Sequence, residues 1–460
     1  MAESVWAHTM PATGRFTGEP MTGDGRADVV IIGGGFTGLW TAYYLAVTDP
    51  TLRIVVLEAE TVGFGASGRN GGWCSGLMPM PIAKLAGVHG RYAATAMQRA
   101  MYDTVDEVRR VLDVEGVDAE LTKGGMLKLA RNPAQERRLR AGLAEHLRFG
   151  FDARDVCWLG PGEAAERCRA TGVLGAVASP HCAAVHPLRL VHGLARAVHR
   201  RGVTIHEHSA ATRIRPERVE TAGGALVAQV VVLATEAYTS RLPGRKRELL
   251  PIYSLMVASD PIDDDRWAGV GLADRATFTD GRHLVVYGQR TADGRLAFGG
   301  RGAPYRFGSR VDGGFEAHAR VGRRLVEAAR ELFPVLDDVD FPFHWGGALA
   351  VARDWHCAVH FDRTSRVAFA GGYAGDGVAA ANLAGRTLAE LITGQESELC
   401  QLPWVGHHSP VWQHEPWRWL GVNAARAAAG RADRAERSGG RLAPHRAAGW
   451  RRLLGALDGR

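Results

Sequence analysis

The chain has 460 residues, 46% apolar and 23% charged, with 56 basic against 49 acidic side chains. That balance suits a globular protein of two or three domains and excludes collagen-like, disordered and membrane-spanning chains, because no apolar run is long enough to cross a bilayer. The six scattered cysteines form no C-x-x-C pair and argue against structural zinc or a disulfide framework; no metal is expected. No basic region followed by an apolar stretch opens the sequence, so a cytoplasmic location is expected.

Residues 1–27, rich in Gly, Pro and Thr, read as an irregular lead-in. Asp28-Val-Val-Ile-Ile32 is a continuous apolar run of the kind a buried parallel strand requires. Gly33-Gly-Gly-Phe-Thr-Gly38 follows, then a helix-compatible stretch from Leu39 to Ala46 and a second buried strand at Arg53–Glu58. Helical periodicity returns at Ala93–Val114, Pro133–Leu147 and Pro187–Arg201. Val203–His206 and Leu226–Leu233 read as strands. Residues 251–302 are strand-rich, with Leu284–Tyr287 and Leu296–Phe298 flanking the turn Thr291-Ala-Asp-Gly294. Phe315–Leu332 predicts a long amphipathic helix, Val367–Ala370 a last buried strand, and Asn382–Thr393 a closing helix.

Nucleotide-type signals therefore stand at both ends of the chain, with unlike segments between them. The fold class expected is α/β, with a nucleotide domain assembled from 28–78, 151–250 and 345–395. A second, α+β domain carrying an antiparallel sheet is inserted from 79–150 and 251–344, and 396–460 forms a C-terminal tail.

Gly33-x-Gly35-x-x-Gly38 lies directly after a buried strand and opens a helix, where a dinucleotide fingerprint belongs. The glycines allow a tight turn, close backbone approach to a pyrophosphate and close helix–strand packing, while the helix N-terminus offers N–H groups to phosphate. Glu58, at the end of the second strand, is placed to accept hydrogen bonds from ribose and would repel a 2′-phosphate, which disfavours NADP.

Val62-Gly-Phe-Gly-Ala-Ser-Gly-Arg-Asn-Gly-Gly72 chooses between the remaining dinucleotides. Here the sequence resembles the FAD-dependent D-amino acid oxidase, glycine oxidase and sarcosine oxidase superfamily, and within it the γ-glutamylputrescine oxidase-like amine oxidoreductases. Val230–Tyr238 and Val367–Ala379 resemble two further flavin segments of that superfamily, and the order of these motifs holds across 28–394. The resemblance implies a Rossmann-like, glutathione reductase-type FAD domain. It implies cofactor contacts from Gly33, Gly35, Phe36, Thr37, Gly38, Glu58 and Ala59, then from Gly65, Ala66, Ser67, Arg69, Asn70, Gly71, Gly72 and Trp73. Ala234, Thr235, Gly375, Asp376, Gly377 and Val378 complete the set.

Departures from the superfamily bear on substrate. Leu349 and Gly375 stand where two carboxylate-binding arginines are expected, which puts a simple α-amino acid in doubt. Asp376 replaces a frequent His and suits either a cationic amine or a turn. Gly347–Asp354 contains no cysteine for a covalent flavin link, and Cys357 falls later, so FAD is expected to bind non-covalently. Ala297 stands where sarcosine oxidases carry a lysine that promotes reaction with oxygen.

The resemblance implies oxidation of a primary or secondary amine by hydride transfer to flavin N5, giving an imine that hydrolyses, with O2 or another acceptor taking the electrons. Candidate catalytic residues are Tyr287, Arg301, His344, Arg353, His356 and Asp376, with Trp73 and Tyr253 as further pocket residues. Two other readings are a flavin-dependent tailoring enzyme or monooxygenase, and a basic protein binding nucleic acid or an anionic surface. No nucleic-acid module supports the last. Residues 418–460 carry ten Arg against three acids, so the whole net charge of +7 sits in the tail. Trp404, Trp412, Trp417 and Trp419 are expected to anchor this tail, which reads as a solvated, partly helical appendage able to dock on a partner or anionic surface.

Overall fold

In the computed structural model, residues 3–311 and 318–437 are described. The apolar run before the fingerprint forms the strand Gly25–Ile32, whose last four residues are all buried. Burial on both faces is what a central parallel strand demands, since helices cover the two sides of such a sheet. Its neighbours are Ile54–Leu57 on one side and Gly224–Leu233 on the other, both parallel to it. Thr204–His206 and Val367–Gly371 extend the sheet in parallel at the two ends, and Ala358–Asp362 adds an antiparallel edge. The helices Phe36–Thr48 and Gly377–Thr393 cross here so closely that a Cβ on Gly385 would stand 2.7 Å from backbone atoms of Trp40 and Thr41. Only glycine permits that approach.

A second eight-stranded sheet runs in the order Phe343–Val351, Leu250–Ala258, Leu296–Arg301, Val286–Arg290, Thr277–Asp280, Met126–Ala130, Gly175–Ser179, Cys157–Leu159. Every pairing is antiparallel except that of Thr277–Asp280 with Met126–Ala130. The strands at 157–159, 175–179 and 343–351 thus belong to this sheet, although they start within or reach into spans expected to build the nucleotide domain. Their short apolar runs carry no mark that tells one sheet from the other.

Several element ends differ from those expected. The first helix begins at Phe36 because its N-terminus is the fingerprint turn itself, and the last begins at Gly377, on the preceding glycine-rich loop. The strand placed at Leu284–Tyr287 is Val286–Arg290. The helix expected from Phe315 runs over Ala319–Leu332, and its first residues lie outside the described ones.

The lead-in is not irregular throughout. Val5–Thr9 forms a short helix capped by Ser4, with Val5 and Trp6 buried. Trp6 packs edge-on to His186 and Trp345 and donates from Nε1 to the Asn70 carbonyl at 2.9 Å. Burial of two such side chains is worth about 2 kcal/mol each, enough to fix the segment.

The tail is likewise no appendage over its described length. Trp404 and Trp412 are buried as expected, but Trp417 and Trp419 are exposed. The helix Trp417–Arg437 is held instead by a stripe of buried alanines and two acids. Asp433 accepts from the backbone N–H groups of His283 and Leu284 at 2.7 and 2.9 Å, and Glu436 takes Arg138 on both oxygens at 3.1 and 3.0 Å. The basic run beyond Arg437 lies outside the described residues. No helix among the described residues is long and apolar enough to cross a membrane.

Candidate active site

The fingerprint turn behaves as its glycines require. Gly33 has φ +113°, and a Cβ there would meet the Ala234 carbonyl oxygen at 2.5 Å, so the first turn and the Ala234–Thr235 segment touch backbone to backbone. Glu58 accepts from the N–H groups of Gly34 and Glu60 at 2.7 and 2.9 Å, which fixes its carboxylate beside the turn. A carboxylate has room for further donors beyond these two. Ser67 Oγ accepts from Phe36 N–H at 2.8 Å and ties the Gly65–Trp73 segment to the same helix end.

That segment is then pinned along its length. Asn70 Nδ2 donates to the Ser67 carbonyl and its Oδ1 accepts from Gly72 N–H, each at 2.8 Å. Arg69 donates from Nε to the Phe64 carbonyl at 2.8 Å, and Trp345 Nε1 donates to the Arg69 carbonyl at 3.0 Å. Gln289, from the second sheet, donates to the Gly71 carbonyl at 2.7 Å. Gly71 must be glycine because a Cβ would come within 2.4 Å of the Tyr287 ring.

Between this segment, the second sheet and the Ala374–Val378 loop lies a cavity of about 390 Å³. Of the residues expected at the site, Ala66, Arg69, Asn70, Gly71, Trp73, Tyr287, Arg301, Gly375, Asp376 and Val378 line it. Gly33, Gly35, Glu58, Ala59, Gly65, Gly72, Ala234 and Thr235 stand in the connecting segments, Ser67 in a short 3-10 turn, and Phe36, Thr37, Gly38 and Gly377 in the first turns of the two helices. Tyr287 shares a hydrogen bond of 2.7 Å with Ser254 Oγ and meets Trp73 edge-on. Arg301 donates to the Ala374 carbonyl at 2.5 Å. Burial pushes the Asp376 carboxyl up, against the pull of Arg301 and Lys128.

Three expected catalytic residues, and the expected pocket residue Tyr253, do not join them. His344 sits with Nε2 2.9 Å from the Phe341 carbonyl oxygen and its ring over Gly322. His356 is buried beside His89, with Nε2 atoms 3.0 Å apart, and its Nδ1 is 2.6 Å from the Cys357 carbonyl oxygen. Burial holds its pKa down to about 4. Arg353 lies over the Trp412 ring, 5.2 Å from its centroid, in a neighbouring chamber that Tyr253 also lines. Near-neutral titration and nearness in sequence pointed to the two histidines; packing against other elements takes both away from the cavity.

Lys128 is the residue that sequence reasoning missed. It projects into the cavity from the strand Met126–Ala130, and burial lowers its pKa while Asp376 opposes that shift. A lone lysine in the apolar run Met126-Leu-Lys-Leu-Ala130 of a chain with four lysines was the available signal. Ala297, where a lysine was sought, is buried away from the cavity among Trp6, Met256 and Trp345.

The residues present fit a bound dinucleotide. Neither Gly35 nor Asp376, the cap residues of the two converging helices, covers its first turn with a side chain, so both helix ends present N–H groups to one region. Trp73 Nε1, at the cavity wall, is buried without a hydrogen-bond partner. A mostly parallel sheet with a glycine turn at its strand ends, facing a second sheet across a charged cavity, is the arrangement that dinucleotide-dependent oxidoreductases use. The chain belongs to the DAO family of FAD-dependent oxidoreductases, whose model matches residues 28–391. FAD is the cofactor of this family.

The chain is 30% identical over 378 residues to the gamma-glutamylputrescine oxidoreductase of Escherichia coli strain K12, covering 80% of this chain and 84% of that protein. It is 29% identical over 394 residues to the probable oxidoreductase OrdL of Haemophilus influenzae, covering 83% and 86%. The crystal structure of glycine oxidase from Geobacillus kaustophilus shares the fold with a TM-score of 0.65 at 23% identity, over 83% of this chain and 99% of that one. The L-proline dehydrogenase from P. horikoshii does so with a TM-score of 0.67 at 20% identity, over 84% and 98%.

Proposed function

We propose that this enzyme oxidises the C–N bond of a primary or secondary amine to an imine, which water then hydrolyses. The observation that carries this reading is the cavity in which Lys128, Tyr287, Arg301 and Asp376 face the Gly65–Trp73 segment. Bound FAD would supply the two-electron acceptor, taking a hydride at N5 and passing the electrons on, with O2 as the favoured final acceptor giving H2O2.

The Gly33–Gly38 turn, the first-turn amides after Phe36 and those opening the helix at Gly377 would hold the cofactor, with Glu58 on the ribose. No cysteine among the described residues lines the cavity, and the Cys357 thiol donates to the Gly372 carbonyl at 3.6 Å, which supports non-covalent binding. Asp376 attracts the substrate ammonium. Lys128, whose ammonium form burial disfavours, accepts the proton at Nζ, so that the amine presents its lone pair. Tyr287 and Trp73 form an apolar wall that excludes water and positions the carbon.

The test is direct. The purified protein should be yellow, and an amine should bleach it anaerobically, with peroxide released when air is admitted. Lys128→Met should lower kcat/KM by about a hundredfold at neutral pH. A protein that takes up no FAD, or whose flavin no amine bleaches, overturns the reading.

A further inference from the structure

A second chamber of about 550 Å³ adjoins the first and shares Val285, Arg301 and Trp355 with it, so the two spaces meet at those side chains. Its outer wall is the helix Trp417–Arg437, which lies beyond the family-matched residues 28–391. Four arginines line this chamber and no carboxylate does. Apart from His283 and Gln413 the rest of the lining is apolar or aromatic, with Trp355, Trp412 and Trp417 prominent.

Three of those arginines are incompletely used. Arg353 Nε, Arg418 Nη1 and Arg426 Nε are buried without a hydrogen-bond partner. The Arg418 side chain is only 2% exposed, and Glu415 accepts from its Nε and Nη2, leaving Nη1 over. Arg426 gives one Nη1 bond to the Gly302 carbonyl at 3.2 Å, and Arg353 is steadied by the Trp412 ring rather than by an acid. Guanidinium N–H groups are costly to bury unmet, and several around one cationic space call for an anionic acceptor.

We propose that this chamber binds the distal end of the substrate: a carboxylate, carried on an apolar or aromatic spacer away from the oxidised amine, and held by Arg353 and Arg426. The proposal rests on amine oxidation in the adjoining cavity. It also accounts for the two anchor positions taken by Leu349 and Gly375, because the acid is met in the next chamber rather than beside the reacting carbon. The planar guanidinium fork matches the two carboxylate oxygens, and the aromatic lining suits the spacer.

The full-length, FAD-loaded enzyme tests this with linear α,ω-amino acids and alkylamines of equal chain length. At the best length the amino acid should have a KM at least about tenfold below that of the matched alkylamine. Arg353→Met should shrink that ratio by about tenfold, and Arg353→Lys should restore part of it. In a separate calorimetric titration, phenylbutyrate should bind and phenylbutanol should not, with phenylbutyrate binding weakened by Arg353→Met. Equal KM values for acid and alkylamine at every length, or phenylbutyrate binding indifferent to Arg353→Met, overturn the proposal. If no amine reduces the flavin yet phenylbutyrate still binds through Arg353, the anion chamber stands and amine oxidation falls.

Discussion

Glu236 follows directly on Thr235 in the turn that touches Gly33, and its environment leaves a measurable mark. Its Oε1 accepts from Tyr373 N–H at 3.1 Å, whereas Oε2 is buried without a partner. Burial pushes its pKa up to about 7, from 4.5 for a free side chain. A raised carboxyl pKa contributes stability that is complete below the unfolded value and is lost as pH rises through the folded one. Wild type should therefore weaken between about pH 4.5 and 7 relative to Glu236→Gln, by roughly 3 kcal/mol in all. Denaturant melts of both proteins at about pH 4 and pH 8 measure that difference; a constant gap refutes the assignment. Legibility at this scale was mixed. Asp376 was singled out because it lies in a flavin-type segment, and Tyr287 and Arg301 because they stand on the strand pair around the turn Thr291–Gly294. Lys128 escaped because the pairing that brings it to the cavity, with Thr277–Asp280, joins strands about 150 residues apart.

Helices and strands of strong periodicity were legible almost to their ends. The segment Pro187–Arg200, for example, begins with Pro at a helical first turn and keeps one apolar face throughout. Helix starts made of glycine were not, because residues that usually break helices here form the turns from which the helices open. The crossing of Phe36–Thr48 with Gly377–Thr393 yields a prediction at this scale. Gly385→Ala would force a methyl group to 2.7 Å from backbone of the partner helix. It should destabilise the protein by about 1–3 kcal/mol, as overpacking does, and weaken FAD retention because both helix ends face the cofactor region. Urea melts and flavin content after gel filtration check both effects; unaltered values would show that the crossing relaxes freely.

At the scale of the molecule, the proposed cofactor site draws on residues near 33, 58, 67, 235 and 376, which lie beyond or between strands of one sheet. A ligand that joins such distant segments binds only the folded chain. Adding FAD to stripped protein should therefore raise stability by about 2.7 kcal/mol at a hundredfold excess over Kd, read as a concentration-dependent rise in Tm. The two-sheet plan was legible from motif order. The helix closing the second chamber was not, since an alanine- and arginine-rich stretch reads as solvated until Asp433 and Glu436 are seen bonded to the sheet domain.

The sheet order also sets a schedule for synthesis. The strand Val367–Gly371 pairs with Gly224–Leu233, and the helix opening at Gly377 packs on Phe36–Thr48. The fingerprint turn leaves the ribosome early, but the helix that packs on Phe36–Thr48 is among the last segments of the family-matched region to emerge. A nascent chain must leave the face of Phe36–Thr48 that meets this helix uncovered through most of translation. Capture of the flavin should thus come late in synthesis, and growth under riboflavin limitation should accumulate full-length apoprotein rather than stalled fragments.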